Sequence, residues 1–257
     1  MAHPVLLPSP MNVSLYQAAA GMKATARWQE LIAENLASSA VPGFKRQHLS
    51  FSAIQSGLMG PSAADPARRF ALPTLGATTD FRAGQIKPGA PTDLALQGPG
   101  FFEVTLPNGA RGYTRDGEFH FNPQGQLVTK QGYLVAGTEG PLQVDPENAA
   151  PLSVSPSGDV AQGEELRGAL KLVDFNDPTR LTAIGGGLFL AADPALRALP
   201  ASSCTVRQGY LEASNASTVS EMADLITSSR LFEANQKIIQ AQDERLARLI
   251  AEVGNPN

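Results

Sequence analysis

The sequence has a single cysteine, Cys204, among 257 residues, which excludes an intramolecular disulfide framework and any cluster of thiolate metal ligands. Its expected place is a small, buried or half-buried thiol. Histidine is nearly as scarce. His3, His48 and His120 stand far apart, none at a metal-ligand spacing from another His or Cys, so no zinc site can be assembled. Basic charge is thin as well: 20 Lys+Arg stand against 24 Asp+Glu, for a formal net charge of −4. Nucleic acid is therefore not an expected partner, because neutralising phosphates needs a concentrated basic face and Lys45 with Arg46 is only a local pair. No apolar run approaches the roughly 18 residues that span a bilayer, so no membrane span is expected. The opening MAHPVLLPSP lacks the charged start and apolar stretch of a signal peptide, since Pro4 and Pro8 fence Val5, Leu6 and Leu7. If the chain is exported, the route is expected to need no cleaved signal.

What the sequence does hold is 42% hydrophobic residues, enough for a core, with 24 glycines and 20 prolines that predict many short strands joined by turns. Residues 12–38 are the first exception. They are rich in Ala, Leu, Met, Gln and Glu and lack proline, which predicts a helix despite Gly21, whose cost in a helix interior is about 1 kcal/mol. Leu15, Met22 and Leu36 fall on a seven-residue repeat completed by Gln29, and Ala18, Ala19, Ala26, Ile32 and Ala33 widen the stripe. Trp28 lies off it, either against a neighbouring subunit or half-exposed. Pro42 and Gly43 end the segment, one by forcing Val41 toward extended geometry and the other by tolerating positive φ.

Residues 218–252 form the second exception, with Leu225, Phe232, Ile239 and Leu246 recurring every seventh position and Leu231, Ile238, Leu249 and Ile250 beside them. Each of the four repeat residues is worth roughly 1.5 to 3 kcal/mol when another surface covers it. The flanking Ser229, Gln236 and Asp243 are polar, which favours a wet interface among several helices over a dry two-helix seam. The expected assembly surface comprises Leu15, Met22, Ile32 and Leu36 from the first helix with Met222, Leu225, Ile226, Phe232, Ile239 and Leu246 from the second.

Between the helices, turn signals at PNGA, RDGE, NPQG, KQG and SPSGD separate the runs FFEVTL, FHF, QLVT, YLVA and LSVS, the pattern of a β-meander. Runs near 168–175 and 188–191 add strands to the same barrel or sandwich. The stretch LQGPGFFEV invites a phosphate-loop reading, but such a loop works by opening a helix whose free N–H groups face the anion, and here a strand follows. Gly98 and Gly100 are instead expected to make a tight bend, and the glycines at 185–187 fail the same test. Asp116 before Gly117 is explained by a hairpin turn in which its side chain bonds the local backbone. Asp80, Asp93, Glu103 and Glu118 suggest paired carboxylates only if something brings two together, and nothing in the sequence does. No catalytic residue and no cofactor site is assigned. The fold class expected is α+β: terminal helices pairing in a coiled-coil-like way around a central all-β domain of meander or barrel type.

Three blocks carry a resemblance. LYQAAAGMKATARWQELIAENLASSAVPGFKRQ, TDFRAGQIKPGAPTDLALQGPGFFEV with GYTRDGEFHFNPQGQLVTKQGYLV, and GYLEASNASTVSEMADLITSSRLFEANQKIIQAQDERL together resemble the bacterial flagellar axial proteins of the rod and hook family, in the order that family has them. The turn ASSAVPGFKR departs from the asparagines and threonine usual there. The resemblance leans to the rod over the hook, and to the proximal over the distal rod protein, although the last block is similar to the distal one too. It implies that Asn35, Pro42, Gly43, Phe44, Gly98, Gly100, Asp116, Gly117, Ser214 and Asn215 are structural-motif residues, and that Phe51 and Ile54 form a short export-gate signal.

It implies, further, a structural subunit that associates with itself and with other axial proteins of the rod and hook. Such a subunit is passed unfolded through the flagellar type III export apparatus and builds a hollow rod spanning the periplasm. The expected organisation is an unmatched extension at 1–11, dispensable or preceding a start at Met11, then a helical rod core from 12–46 and 206–252, an extended linker at 47–85, and an outer β domain at 86–205. The rival reading from another class is a monomeric β-rich ligand-binding module whose terminal helices cover its own barrel.

Overall fold

The computed structural model describes residues 10–56, 70–148 and 150–254. They are mostly β, with one helix at each end, and divide into two compact units. The first unit takes in residues up to 34, 47–78 and from 219 onward; the second takes in 35–46 and 79–218.

In the first unit, α1 (Pro10–Ala37) opens on a proline, which the first helical turn tolerates because its N–H would go unused there. The side chains of Ala18, Ala24, Thr25, Leu31 and Ile32 are buried, with Gly21 and Trp28 half-buried. The deepest stripe thus runs through 18, 21, 25, 28 and 32, one step round from the predicted Met22 and Leu36, which are half-buried. Small residues set this rotation. A Cβ on Gly21 would stand 3.1 Å from both amide atoms of Asn235 in the other helix, so α1 turns its least bulky side to that contact. The side chain of Leu15 lies outside the described residues.

α2 (Thr218–Gly254) has Glu221 and Ser228 fully buried and Leu225, Phe232, Asn235, Ile239, Gln242 and Leu246 half-buried. These eight positions advance by alternating steps of four and three, the stride of a heptad seam. Ser228 can be buried because its hydroxyl donates to the Leu225 carbonyl at 2.8 Å, and Thr25 does the same in α1 toward Gly21 at 2.9 Å. Where the sequence predicts a linker, β1 (Gln47–Ser56) and β2 (Phe70–Thr79) pair in a two-stranded sheet. The alternation of Leu49, Phe51 and Ala53 with Ser50 and Ser52 is the period-two signal behind it.

Among the described residues the second unit contains sixteen short strands. In chain order they are β3 (Ile86–Pro88), β4 (Leu94–Gln97), β5 (Phe101–Thr105), β6 (Arg111–Thr114), β7 (Phe119–Phe121), β8 (Leu127–Thr129), β9 (Leu134–Val135) and β10 (Leu152–Val154). There follow β11 (Asp159–Gln162), β12 (Glu165–Ala169), β13 (Leu172–Phe175), β14 (Thr182–Gly185), β15 (Leu188–Leu190), β16 (Ala198–Pro200), β17 (Thr205–Gln208) and β18 (Tyr210–Glu212). The largest sheet orders seven of them β14-β15-β6-β5-β9-β8-β7, with β13 joined to β5 and β16 to β13. It is an open sheet. Among the described residues there is no closed barrel, because β14 and β7 end the path without meeting.

Phe102, Val104, Leu127, Val135 and Leu188 centre one core, and Phe101, Tyr113, Phe175 and Phe189 a second. In the second, Tyr113 meets Phe175 edge-on at 4.8 Å and Phe101 meets Phe81 at 5.5 Å, the geometry that ring quadrupoles favour. The strand pairs β17 with β4 and β18 with β3 return the chain from residue 205 to residues 86–97. Residues 205–212 therefore belong to the sheet-rich unit, whereas the sequence places everything from 206 with the helices. Gly209, at φ +77°, breaks the run between two strands and hides their alternation.

Candidate functional site

Two features stand out: a buried polar junction in the sheet-rich unit, and the surface of α2. The junction starts from the turn after α1. Gly43 adopts φ +67°, and a Cβ there would lie 2.2 Å from the Arg115 backbone carbon, so the turn VPGFK is seated directly on the turn RDG at 115–117. Gly117 is as tightly placed, its imagined Cβ falling 1.6 Å from the Leu94 carbonyl oxygen. Beyond Gly43, Phe44 and Lys45 are buried, and Lys45 Nζ donates to Glu212 Oε1 at 2.5 Å and to the Arg82 carbonyl at 3.0 Å. Glu212 Oε1 also accepts from the Gly84 N–H at 2.8 Å, while its Oε2 faces Arg115 Nη1 at 3.4 Å. Arg115 Nη2 donates to the Gly98 carbonyl at 2.7 Å, and its guanidinium sits 5.4 Å from the centre of the Phe101 ring.

The bend at Gly98 and Gly100, with φ of +107° and +141°, thus presents a carbonyl to a buried arginine and not amides to an anion. Asn215 completes the junction. Its Oδ1 accepts from the Arg46 N–H at 2.7 Å, and its Nδ2 donates to the carbonyls of Asp80 at 2.7 Å and Arg82 at 3.0 Å. The Ser214 hydroxyl accepts from the Ala216 N–H at 3.1 Å just before α2.

Electrostatically, two cations share one carboxylate in a dry place. Burial pushes the Lys45 ammonium below the usual lysine range, and Glu212 opposes that push. Asp116, alongside, bonds the Glu118 N–H through Oδ1 at 2.9 Å, as the turn reading requires, and burial pushes its carboxyl up to about 6. Of the structural-motif residues, Asn35, Gly43, Phe44 and Asp116 are buried and Pro42, Ser214 and Asn215 are half-buried. Lys45, Arg115 and Glu212, which carry the charge of the junction, are absent from the sequence-derived set. Glu212 stands between Leu211 and Ala213, but Lys45 has Arg46 beside it and Arg115 lies between Thr114 and Asp116, so no shared local pattern marks the three.

The carboxylates considered for chemistry go elsewhere. Glu103 is buried and paired to Lys171 at 2.9 Å, Asp80 pairs with Arg82 at 2.6 Å, and Asp93 Oδ2 accepts from the Ala90 N–H at 2.6 Å. Cys204 is buried and its thiol is pushed up by that burial. Among the described residues no three His, Cys, Asp or Glu gather as metal ligands, and no helix is long and apolar enough to cross a membrane.

On α2, Met222 and Ile226 are more than half exposed, with Val219 beside them at 79% and Leu231 and Ile238 also exposed. Leu225, Phe232, Ile239 and Leu246 occupy the half-buried stripe. Phe51 and Ile54 fall in β1, but the side chains on which an export signal depends lie outside the described residues.

The family model described as the flagellar hook protein FlgE/F/G D1 domain matches residues 95–162, and that of the flagellar basal body rod FlgEFG protein C-terminal matches 207–252. The chain is 34% identical to the flagellar basal-body rod protein FlgG of Caulobacter vibrioides, over 91% of this chain and 96% of that one. It is 33% identical to the flagellar basal-body rod protein FlgF of Escherichia coli, over 93% and 97%, and 30% identical to FlgF of Caulobacter vibrioides, over 96% and 100%.

Proposed function

The chain belongs to the flagellar basal-body rod protein family, and from that premise we propose that it polymerises through its terminal helices into the rod after export in an unfolded state. Its role is that of a structural subunit of the basal body, in a family that is not a class of enzymes. The observation that carries the polymerisation reading is α2. One stripe of this helix is partly covered within the molecule, and a second set, Val219, Met222, Ile226, Leu231 and Ile238, faces solvent. A 37-residue helix with apolar side chains on both sides is suited to a bundle in which neighbouring subunits supply the missing cover.

In this reading α1 and α2 pair in a coiled-coil-like way as the assembly element, with Leu15, Met22, Ile32, Leu36, Leu225, Phe232, Ile239 and Leu246 at or near the seam. The sheet-rich unit forms the outer layer. Partners are further copies of the chain, other axial proteins of the rod and hook, and the export apparatus, which reads a segment near Phe51 and Ile54. Relatives named FlgG and FlgF match at nearly equal identity, so the position along the rod, proximal by the lean of the motifs, belongs to the proposal. Deletion in the native host followed by electron microscopy of basal bodies is the test: the expected result is loss or truncation of the rod, restored by the intact gene. Complete rods in the deletion strain would refute the assignment. Immunogold labelling of isolated rods reads the position.

A further inference from the structure

The seam between the two terminal helices is periodic, and periodicity is a hazard. In α2 the apolar members Leu225, Phe232, Ile239 and Leu246 recur every seven residues with similar bulk. Sliding α1 along α2 by one heptad, seven residues at about 1.5 Å each, buries nearly the same apolar surface, so hydrophobic burial alone leaves the register open. The polar members Glu221, Ser228, Asn235 and Gln242 recur at the same interval but differ in size.

We infer that the register of the terminal helices is set by two size-matched pairs, Gly21 with Asn235 and Trp28 with Ser228. The first pair is the close approach already described, in which any side chain on Gly21 meets the Asn235 amide. The helices run antiparallel. The Ser39 and Thr218 hydroxyls, just past the end of α1 and at the start of α2, are 3.3 Å apart, and Gly21 and Asn235 lie about equally far along their helices from those ends. One heptad from Gly21 toward the end of α1 is Trp28, and one heptad from Asn235 toward the start of α2 is Ser228. The bulkiest residue of the α1 stripe thereby comes level with a small, fully buried one. A slip in one direction brings Trp28 level with Asn235; a slip in the other brings it level with Glu221, which is fully buried. Either slip sets an indole against a larger polar side chain in a covered position, which costs both space and satisfied hydrogen bonds. The sequence thus selects against its own repeats with one notch and one bulge.

This inference rests on helix pairing within one molecule and is independent of rod membership. The test uses the full chain expressed in its native host with Cys204→Ser, so that introduced cysteines are the only ones. On mild oxidation, Gly21→Cys with Asn235→Cys, and Trp28→Cys with Ser228→Cys, are expected to form intramolecular disulfides, read as a faster-migrating monomer on a non-reducing gel. The slipped pair, Gly21→Cys with Gln242→Cys, which reports the same slip while leaving Trp28 and Asn235 in place, is expected to form none. Equal linkage of the slipped pair, links seen only between two chains, or no link between positions 21 and 235 overturns the assignment.

A second measurement needs no cysteine. Gly21→Leu is expected to abolish incorporation into basal bodies, and Asn235→Ala in the same chain to restore it; a double variant as defective as the single one overturns the fit. Whether the wild-type chain fractionates with basal bodies is scored separately. Its absence there sinks the rod reading and leaves the cross-link pattern to judge the register.

Discussion

At the scale of single residues, the charge arrangement of the junction makes sharp predictions. Lys45 and Arg115 are both buried and both answered by Glu212. Glu212→Gln keeps the shape but strands two cations in a dry site, and breaking a buried ion pair costs about 3 to 5 kcal/mol. Denaturant unfolding of the variant is expected to show that loss, while Lys171→Gln, at a half-exposed partner of Glu103, is expected to lose far less. Asp116 behaves in the opposite sense. Its folded pKa of about 6 lies above its ordinary value of 3.8, so the fold favours the neutral form and bears an ionised carboxyl at pH 7 only at a cost. The stabilisation from that proton is complete below the unfolded value and is lost as pH rises through the folded one, over a range worth about 3 kcal/mol. Asp116→Asn is therefore expected to be more stable than wild type at pH 7, with the gap in melting temperature closing as pH falls toward 4. A constant gap would show that the carboxyl does not titrate in the fold.

Among elements, α2 is the one most fully legible in the sequence. The recurrence of Leu225, Phe232, Ile239 and Leu246 needs no tertiary information, and the half-buried stripe falls on those residues. α1 was legible as a helix but less so as a surface, because beside Leu31 and Ile32 its covered side is made of small residues, Ala18, Ala24, Thr25 and the half-buried Gly21, whose size conceals a contact that only the partner helix reveals. Strands such as β5, β8 and β15 were legible from apolar runs between turns. The pairing of β17 and β18 with β4 and β3 was not, since register across more than a hundred residues leaves no local trace. The junction was opaque for the same reason, with Lys45 and Glu212 separated by 167 positions. At this scale the expected result of Phe232→Asp is failure to incorporate into rods, because an unpaired charge enters the seam. Near-unchanged circular dichroism of the sheet-rich unit is expected alongside it. Normal rods from that variant would count heavily against the seam.

For the whole molecule, the division into two units predicts uneven resistance to proteolysis. The sheet-rich unit has two cores and a buried ionic junction, whereas long helices with exposed apolar side chains open more readily in a free subunit. Limited digestion followed by mass spectrometry is expected to trim both helices and leave a stable fragment. Uniform resistance would favour a self-contained monomeric module. The surviving core is expected to keep 35–46 together with 79–218, because Phe44 and Lys45 fill places in that unit although they are far from it in sequence.

The short bond between Lys45 and Glu212 also has a mechanical meaning. Chain leaving α1 reaches Lys45 within eight residues, and chain entering α2 leaves Glu212 within six. Tension drawn along either helix is expected to meet first at one ion pair, between the turn after α1 and the last residue of β18, with the Gly43 N–H on the Glu212 carbonyl and Asn215 on the Arg46 N–H beside it.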